Sequence, residues 1–215
     1  MRNRERYLAI GIHQSASDTA GVDGVKVFDV AGVFVSGIAI GEEENTASRD
    51  VLTRAITARA ALLEHSTFIA VRYGAVFADQ AEAVAKFGAS APSWRSLLER
   101  YPGEVEFTLR AGSGTVSRPD RRNFTRGADY LRELHRMRQP ATDPQFRETA
   151  GRLLGSHASG FRWVERHDGS EELAILVPRE QQGEIAAAAE ELRRKFPATP
   201  FLVSGPWPLE VFTDE

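Results

Sequence analysis

The sequence predicts an α+β protein of two domains, and three observations support this prediction. The first half begins with short apolar runs typical of strands and continues into amphipathic helices. The helix-breaking sequence Tyr101-Pro102-Gly103 then follows the last of these helices. From Glu104 to Ser204 the elements follow the order β-α-β-β-α-β, which is the ferredoxin-like pattern. We therefore expect a mixed α+β sheet domain at residues 1–101 and a C-terminal ferredoxin-like (βαββαβ) domain, with an aromatic and proline-rich tail, at residues 102–215.

The first domain is expected to begin with three strands and a long helix. Ala31-Gly32 can form the tight turn of a hairpin, and Ser48 can cap a helix that runs to about Glu64. An apolar stripe lines one side of this helix, and Arg59 falls inside it, so its guanidinium must reach solvent or find a partner. The strands are predicted at Tyr7–Ile12, Val25–Val30 and Gly32–Ile40. The stripe is broad and comprises Leu52, Ile56, Ala60 and Leu63, with Val51, Ala55 and Leu62 alongside.

An apolar run and two shorter helices complete the first domain. Phe68–Phe77 is predicted as a single strand, although Arg72-Tyr73-Gly74 interrupts its apolar pattern. Asp79–Phe87 has helical spacing, and Pro92 suits the first turn of another helix, where its missing N–H does no harm. The core face of that helix is expected to comprise Trp94, Leu97, Leu98 and Tyr101.

The second domain alternates strands and helices. Ala111 to Asn123 is rich in Gly, Ser and Arg and reads as a loop, and a helical pattern returns near Thr125. Asp168-Gly169 is a strong signal for a hairpin turn. The remaining strands are expected at Glu104–Arg110, Gly160–Arg166, Glu172–Pro178 and Phe201–Ser204, and the helices at about Gln145–Ser156 and Gln182–Phe196.

Composition narrows the class of protein. The chain has 215 residues with 42% hydrophobic and 27% charged side chains, which is ordinary for a globular protein. A net charge of −3 argues against general nucleic-acid binding. The absence of cysteine excludes disulfides, thiol nucleophiles and cysteine-based metal sites. The N-terminus lacks the long apolar core of a signal peptide and no stretch is long enough to cross a membrane, so we expect a cytoplasmic protein.

No motif in the sequence predicts chemistry. The phosphate-binding loop, the paired histidines of a helical metal site and the Gly-x-Ser-x-Gly elbow of a nucleophilic serine are all missing. We therefore expect no enzyme activity, no cofactor and no metal. Arg72 is the one residue that resembles a catalytic group, because a guanidinium in an apolar strand is costly unless it is paired. It can recognise a carboxylate of a ligand, but an internal salt bridge is the preferred explanation.

Two segments carry the most specific signal. The first is the run Phe68–Phe77, FIAVRYGAVF, and the second is SGPWPLEVF at residues 204–212, in which Trp207 stands between two prolines. A tryptophan fixed in this way is expected to end the strand and to close the core. Together the two segments resemble the signatures of the gas vesicle protein family GvpF/GvpL. The resemblance departs from the family pattern at Ala70 and at Leu209-Glu210-Val211.

The resemblance implies a non-enzymatic gas vesicle accessory or minor structural protein. Such a protein would bind the small hydrophobic shell subunit and other gas vesicle proteins and support assembly of the vesicle in the cytoplasm. An alternative is a ferredoxin-like small-molecule-binding or regulatory protein in a host without gas vesicles. The sequence leaves open the oligomeric state, the binding surface and the role of the arginine-rich loop at residues 118–126. The residues proposed for interaction or for the structural motif are Arg72, Tyr73, Gly74, Phe77, Gly205, Pro206, Trp207, Pro208 and Phe212.

Overall fold

Helices and two antiparallel sheets make up the protein, which confirms the mixed α+β class. The structure is a computed structural model and describes residues 5–111, 121–130, 143–166, 170–210 and 212. The chain divides into two compact units, Met1–Val105 with Trp207–Glu215, and Glu106–Pro206. The tail from Trp207 therefore groups with the first unit, although it was expected in the second domain. No helix in the described ranges is long and apolar enough to cross a membrane.

The sheet of the first unit has β1 at its centre. The strand order is β2-β3-β1-β4, and β5 pairs with β1 as well. The predicted hairpin turn is confirmed, because Ala31 and Gly32 join β2 to β3 with φ angles of 52° and 86°. The strands are β1 (Arg6–His13), β2 (Val25–Val30), β3 (Val33–Ile40), β4 (Ile69–Ala70) and β5 (Val76–Phe77).

The long helix of this unit, α1 (Arg49–His65), packs on the sheet through one side of the predicted stripe, the side that contains Val51, Ala55 and Leu62. Its buried residues are Val51, Ala55, Ala58 and Leu62, which join Leu8, Ile10, Ile38, Ile40 and Phe68 in one core cluster. Ile56, from the predicted stripe, is 66% exposed. The helix contains two overlapping apolar patterns at helical spacing, and the buried one contains two alanines. Small side chains let the helix approach the sheet closely, so this pattern forms the interface.

Two further helices follow in the first unit, α2 (Gln80–Phe87) and α3 (Ala91–Arg100). The Asp79 carboxylate caps α2 by accepting a hydrogen bond of 3.0 Å from the Glu82 backbone N–H. Pro92 stands in the first turn of α3. The predicted core face of α3 is confirmed for Leu97 and Leu98, which are buried.

The second unit carries a four-stranded sheet of order β7-β8-β6-β9. Its described elements are β6 (Glu104–Ala111), α4 (Pro144–Gly155), β7 (Gly160–Glu165), β8 (Glu171–Pro178), α5 (Gln182–Lys195) and β9 (Phe201–Trp207). β9 runs through Gly205 and Pro206 to Trp207, so the predicted end at Ser204 is wrong. Most of the predicted loop at residues 111–123 and the predicted hairpin turn at Asp168-Gly169 lie outside the described residues.

Candidate functional site

The first motif does not form one continuous strand. From Ala70, opposite Gly11, to Val76, opposite Leu8, the edge of the sheet advances six residues while β1 advances three. The extra residues leave the ladder as a projection that we call the edge bulge, residues 71–75. Gly74 has a φ of 94°, a conformation that glycine adopts without steric cost. The backbone rejoins β1 where the Ala9 N–H donates to the Ala75 carbonyl at 2.8 Å.

Arg59 of α1 donates hydrogen bonds to two backbone carbonyls beside the edge bulge. Its Nε donates to the Ile10 carbonyl at 2.9 Å, and its Nη2 donates to the Val71 carbonyl. These bonds satisfy backbone acceptors next to the place where the two strands separate. Burial lowers the pKa of Arg59, while the nearby Glu210 and Tyr73 act in the opposite direction. The sequence flagged Arg59 as a residue that needed a partner, but it did not reveal that the partners are backbone oxygens.

The arginine of the motif itself has a different position. Arg72 lies exposed in the edge bulge, so it is not the buried guanidinium for which the internal salt bridge was predicted. Its neighbour Tyr73 is 38% exposed, and the Tyr73 hydroxyl donates to the backbone carbonyl of Thr46. Arg72 and Tyr73 therefore present a cation and an aromatic ring on the surface of the first unit.

The second motif returns to the same edge of the first unit. The Leu209 N–H donates to the Phe68 carbonyl at 2.9 Å, and the Leu209 carbonyl accepts from the Ala70 N–H at 3.0 Å. Leu209 thus forms a parallel bridge with Ile69, next to the edge bulge. The structure therefore joins two motifs that lie far apart in the sequence.

The tail buries other residues than the expected tryptophan. Trp207 is 46% exposed, so the prediction that it closes the core is wrong. Leu209 and Phe212 are buried instead, and the Phe212 ring lies 6.3 Å from the Tyr101 ring, measured between centroids. Pro206 and Pro208 on either side of the tryptophan are half-buried.

Two of the predicted residues are structural. The Phe77 ring is buried in an aromatic cluster, with its centroid 4.8 Å from that of Phe28 and 5.9 Å from that of Phe87. Gly205 has a φ of 143°, and a Cβ at this position would lie 2.7 Å from Cδ1 of Phe107. Neither residue presents a side chain to a partner.

A buried carboxylate in the second unit is paired with two arginines. Glu172, 1% exposed on β8, accepts from Arg110 through Oε2 at 2.6 Å and from Arg166 through Oε1. Burial raises the pKa of Glu172, but the hydrogen bonds from Arg166 and Arg110 outweigh burial and hold that pKa below its usual value. Each carboxylate oxygen is therefore engaged by an arginine that lies within the unit, which is the arrangement of a structural ion pair.

In the described ranges, no group of three or more His, Asp or Glu side chains is arranged to hold a metal ion. The exposed groups of the edge bulge and the tail include the guanidinium of Arg72, the phenol of Tyr73 and the indole of Trp207. Such a surface can bind another molecule through charge and aromatic contact. The fold and the site together define a two-sheet α+β protein whose candidate site is a sheet edge covered by the chain's own tail.

Comparison with known proteins identifies the family. The model of the family described as gas vesicle synthesis protein GvpL/GvpF matches residues 14–212, and the chain belongs to this family. Membership indicates a gas vesicle-associated protein, as the resemblance of the two motifs predicted. No curated protein matches the sequence.

Two solved structures are similar to the chain over nearly its full length. The crystal structure of the gas vesicle protein GvpF from Anabaena sp. PCC7120 is 15% identical, with 98% of this chain and 96% of that chain covered and a TM-score of 0.65. The crystal structure of gas vesicle protein GvpF from Microcystis aeruginosa is 14% identical, with 99% of this chain and 100% of that chain covered and a TM-score of 0.68. At these identities the likeness shows the fold alone.

Proposed function

We propose that this chain is a non-enzymatic gas vesicle accessory or minor structural protein, located in the cytoplasm or on the gas vesicle. It binds the hydrophobic shell subunit, together with other gas vesicle proteins, and supports assembly of the vesicle. The observation that carries the proposal is the pairing of the two family motifs through Leu209 and the Phe68–Ala70 backbone. This pairing holds an exposed, chemically distinctive surface on a well-bonded sheet edge.

The exposed side chains of this surface suit a protein partner. Tyr73 and Trp207 are partly exposed aromatic residues, and Arg72 lies beside Tyr73 in the edge bulge. Tyrosine, tryptophan and arginine are the residue types that most often dominate the energetics of protein interfaces. The edge bulge and the tail are held by backbone hydrogen bonds on both sides of β4, so little ordering entropy is lost when a partner binds.

We extend the proposal to the domain organisation. The chain has two domains divided near residues 101–105, and the second is a ferredoxin-like domain. The strands of the second unit and its helices α4 and α5 follow the order β-α-β-β-α-β, and the strand that comes first in sequence, β6, lies in the sheet between the third, β8, and the fourth, β9. That order supports the ferredoxin-like assignment.

Co-expression with the gas vesicle proteins of the same host tests the function. The tagged chain is expected to co-purify with the shell subunit or with an accessory protein. Trp207→Ala and the double variant Arg72→Ala/Tyr73→Ala should reduce the recovered partner by about tenfold or more, because truncating a hot-spot residue costs about 2 kcal/mol. Failure of the wild-type chain to recover any gas vesicle protein would refute the assembly role.

A matched control variant makes it possible to test the proposed binding surface separately from the proposed function. Val84→Ala truncates an exposed apolar side chain, 42% exposed, on α2 of the same unit, and should leave the recovery unchanged. All variants are checked by thermal unfolding, because their side chains are exposed and should not affect the fold. If the partner is still recovered in full with the Trp207 and Arg72/Tyr73 variants, then the binding surface lies elsewhere while the function stands.

The alternative is small-molecule binding by the second unit, and a surface groove on this unit allows it to be tested. A groove of about 450 Å³ on this unit is lined by Phe161, Trp163 and Gly151, with Arg147 and Arg152 among its polar residues. Arg147 already pairs with Glu171, and its guanidinium carbon lies 5.0 Å from the Trp163 ring centroid. A saturable rise of the melting temperature with a metabolite panel, lost in Trp163→Ala, would favour this alternative.

A further inference from the structure

The outer face of α1 has a pattern that the proposed function does not use. Ile56 is 66% exposed at the middle of this face. Ala60, Thr53 and Thr57 around it are small and exposed, and Leu52 and Leu63 at its margin are half-buried. Single exposed apolar residues are common on protein surfaces. Here an exposed isoleucine is surrounded by small side chains on a four-turn helix, which leaves room for a second helix to approach closely.

Charge is confined to the two ends of this face. Arg49 stands at the N-terminal end, next to the exposed Asp50, and Glu64, whose side chain is 75% exposed, stands at the C-terminal end. Arg49 and Glu64 lie about 22 Å apart along the helix, at 1.5 Å per residue. Residues on this face recur at alternating spacings of four and three, which is the spacing of a helix–helix seam. These residues are Arg49, Thr53, Ile56, Ala60 and Leu63. The centre of this seam carries no charged side chain on the outer face.

The pattern is self-complementary when two copies of α1 are antiparallel. A two-fold axis between Ile56 and Thr57 places Arg49 of one copy opposite Glu64 of the other, and it does so twice. The same axis places Thr53 opposite Ala60, so the small residues meet around the two isoleucines. A parallel arrangement would instead put Arg49 beside Arg49 and Glu64 beside Glu64. Like charges and aligned helix dipoles both oppose that arrangement.

We propose that α1 is a self-association surface, on which a second copy of this chain docks its own α1 in the antiparallel direction. The occupant is a second copy because the face complements itself in charge and in shape, as an isologous interface requires. A helix of this length offers a strip of roughly 25 Å by 10 Å, well below the area of a standard stable interface. The dimer is therefore weak when free in solution and becomes populated where copies are concentrated on a common partner.

Sedimentation of the purified chain alone tests the proposal, independently of any gas vesicle partner. The wild type is expected to shift from monomer towards dimer between about 10 µM and about 1 mM, the range expected for a small interface. Ile56→Glu should abolish the shift, because it places two carboxylates at the centre of the seam. Val84→Glu, which changes an exposed apolar residue on α2, should not. A wild-type chain that stays monomeric over the whole range, or an Ile56→Glu variant that dimerises normally, overturns the proposal.

Charge exchange tests the antiparallel geometry. Arg49→Glu and Glu64→Arg should each weaken dimerisation by about tenfold, because each variant replaces two rim ion pairs with like charges. An equimolar mixture of the two variants should recover wild-type association, since every 49–64 contact between unlike copies is again an opposite-charge pair. The double variant Arg49→Glu/Glu64→Arg should recover it as well. If the mixture stays as weak as the single variants, the antiparallel dimer is wrong. Both positions are exposed, so thermal unfolding should be unchanged and the test does not depend on a destabilised fold.

Discussion

Acid should destabilise this protein through one buried histidine, His13. Its imidazole is fully buried in β1, stacked on the Phe68 ring with 5.2 Å between ring centroids. The Ser36 hydroxyl donates its proton to the Gly11 carbonyl at 3.1 Å, so the His13 Nε2–H must be the donor in the 2.8 Å contact with Ser36. Nδ1 is then an acceptor without a hydrogen-bond partner in the described structure. Protonation would create a buried N–H and a buried charge without an acceptor.

The sign and the size of the effect follow from this geometry. Burial lowers the pKa of His13 from 6.5 to about 4. In the unfolded chain the histidine takes up a proton near its ordinary pKa, whereas the folded chain resists until about pH 4. The unfolded state therefore binds more protons between these values, and stability falls as the pH falls. Between about pH 7.5 and pH 5 the loss amounts to about 2 kcal/mol, and it approaches about 3 kcal/mol near pH 4.

Urea unfolding at several pH values measures this loss. His13→Gln removes the titration and keeps an amide that can donate to Ser36, so the variant should lose about 2 kcal/mol less than the wild type over the same range. The carboxylates titrate in both proteins and cancel in the comparison. His65→Gln is the control, because the His65 side chain is 64% exposed and this variant should follow the wild type. Equal pH dependence of wild type and His13→Gln, or an NMR titration of His13 near its ordinary pKa, would refute the reasoning.

Two further predictions concern backbone positions. Arg59→Met leaves the Ile10 and Val71 carbonyls without their donors and should lower the free energy of unfolding in urea by about 2–3 kcal/mol. The control Arg54→Met, at an exposed residue, should lower it by about 0.5 kcal/mol or less. An equal loss in both variants would contradict the role of Arg59. Gly205→Ala places a Cβ 2.7 Å from Phe107 at a φ of 143° and should cost about 2–4 kcal/mol. The control is Gly183→Ala in a helix, where the added Cβ would have no atom within 4 Å, and this variant should gain about 0.5–1 kcal/mol of stability. A stable Gly205→Ala variant would show that Gly205 is not closely packed.

Elements with local signals could be predicted from the sequence. The β2–β3 turn at Ala31-Gly32 and the cap at Ser48 depend on residues that lie within a few positions of each other. The family itself was identified from two short motifs. These features need no knowledge of which distant residues meet.

The edge bulge could not be predicted in the same way. A run such as Phe68–Phe77 has the composition of a strand, and its break depends on its register against β1, which only the folded sheet determines. The interruption at Arg72-Tyr73-Gly74 was the local signal. The centre of the buried face of α1 has the same difficulty, because the predicted stripe contains both Ala55, which is buried, and Ile56, which is exposed. Trp207 was expected inside, but the tail places Leu209 and Phe212 in the core and leaves the indole partly exposed.

The position of the tail also limits how a partner can be recognised at the candidate site. β4 is only two residues long, with β1 on one side and Leu209 on the other. A sheet edge with free N–H and C=O groups invites strand addition by another chain. Here the Phe68 carbonyl and the Ala70 N–H are already bonded to Leu209. A partner that docks on this region must therefore use side-chain contacts with Arg72, Tyr73 and Trp207, unless it first displaces the tail. Displacement would expose Leu209 and Phe212, two buried apolar side chains whose transfer to water costs about 2 kcal/mol each. Recognition through side chains therefore costs less free energy than displacement of the tail. For this reason Trp207→Ala tests partner binding more sharply than any change to the β4 backbone.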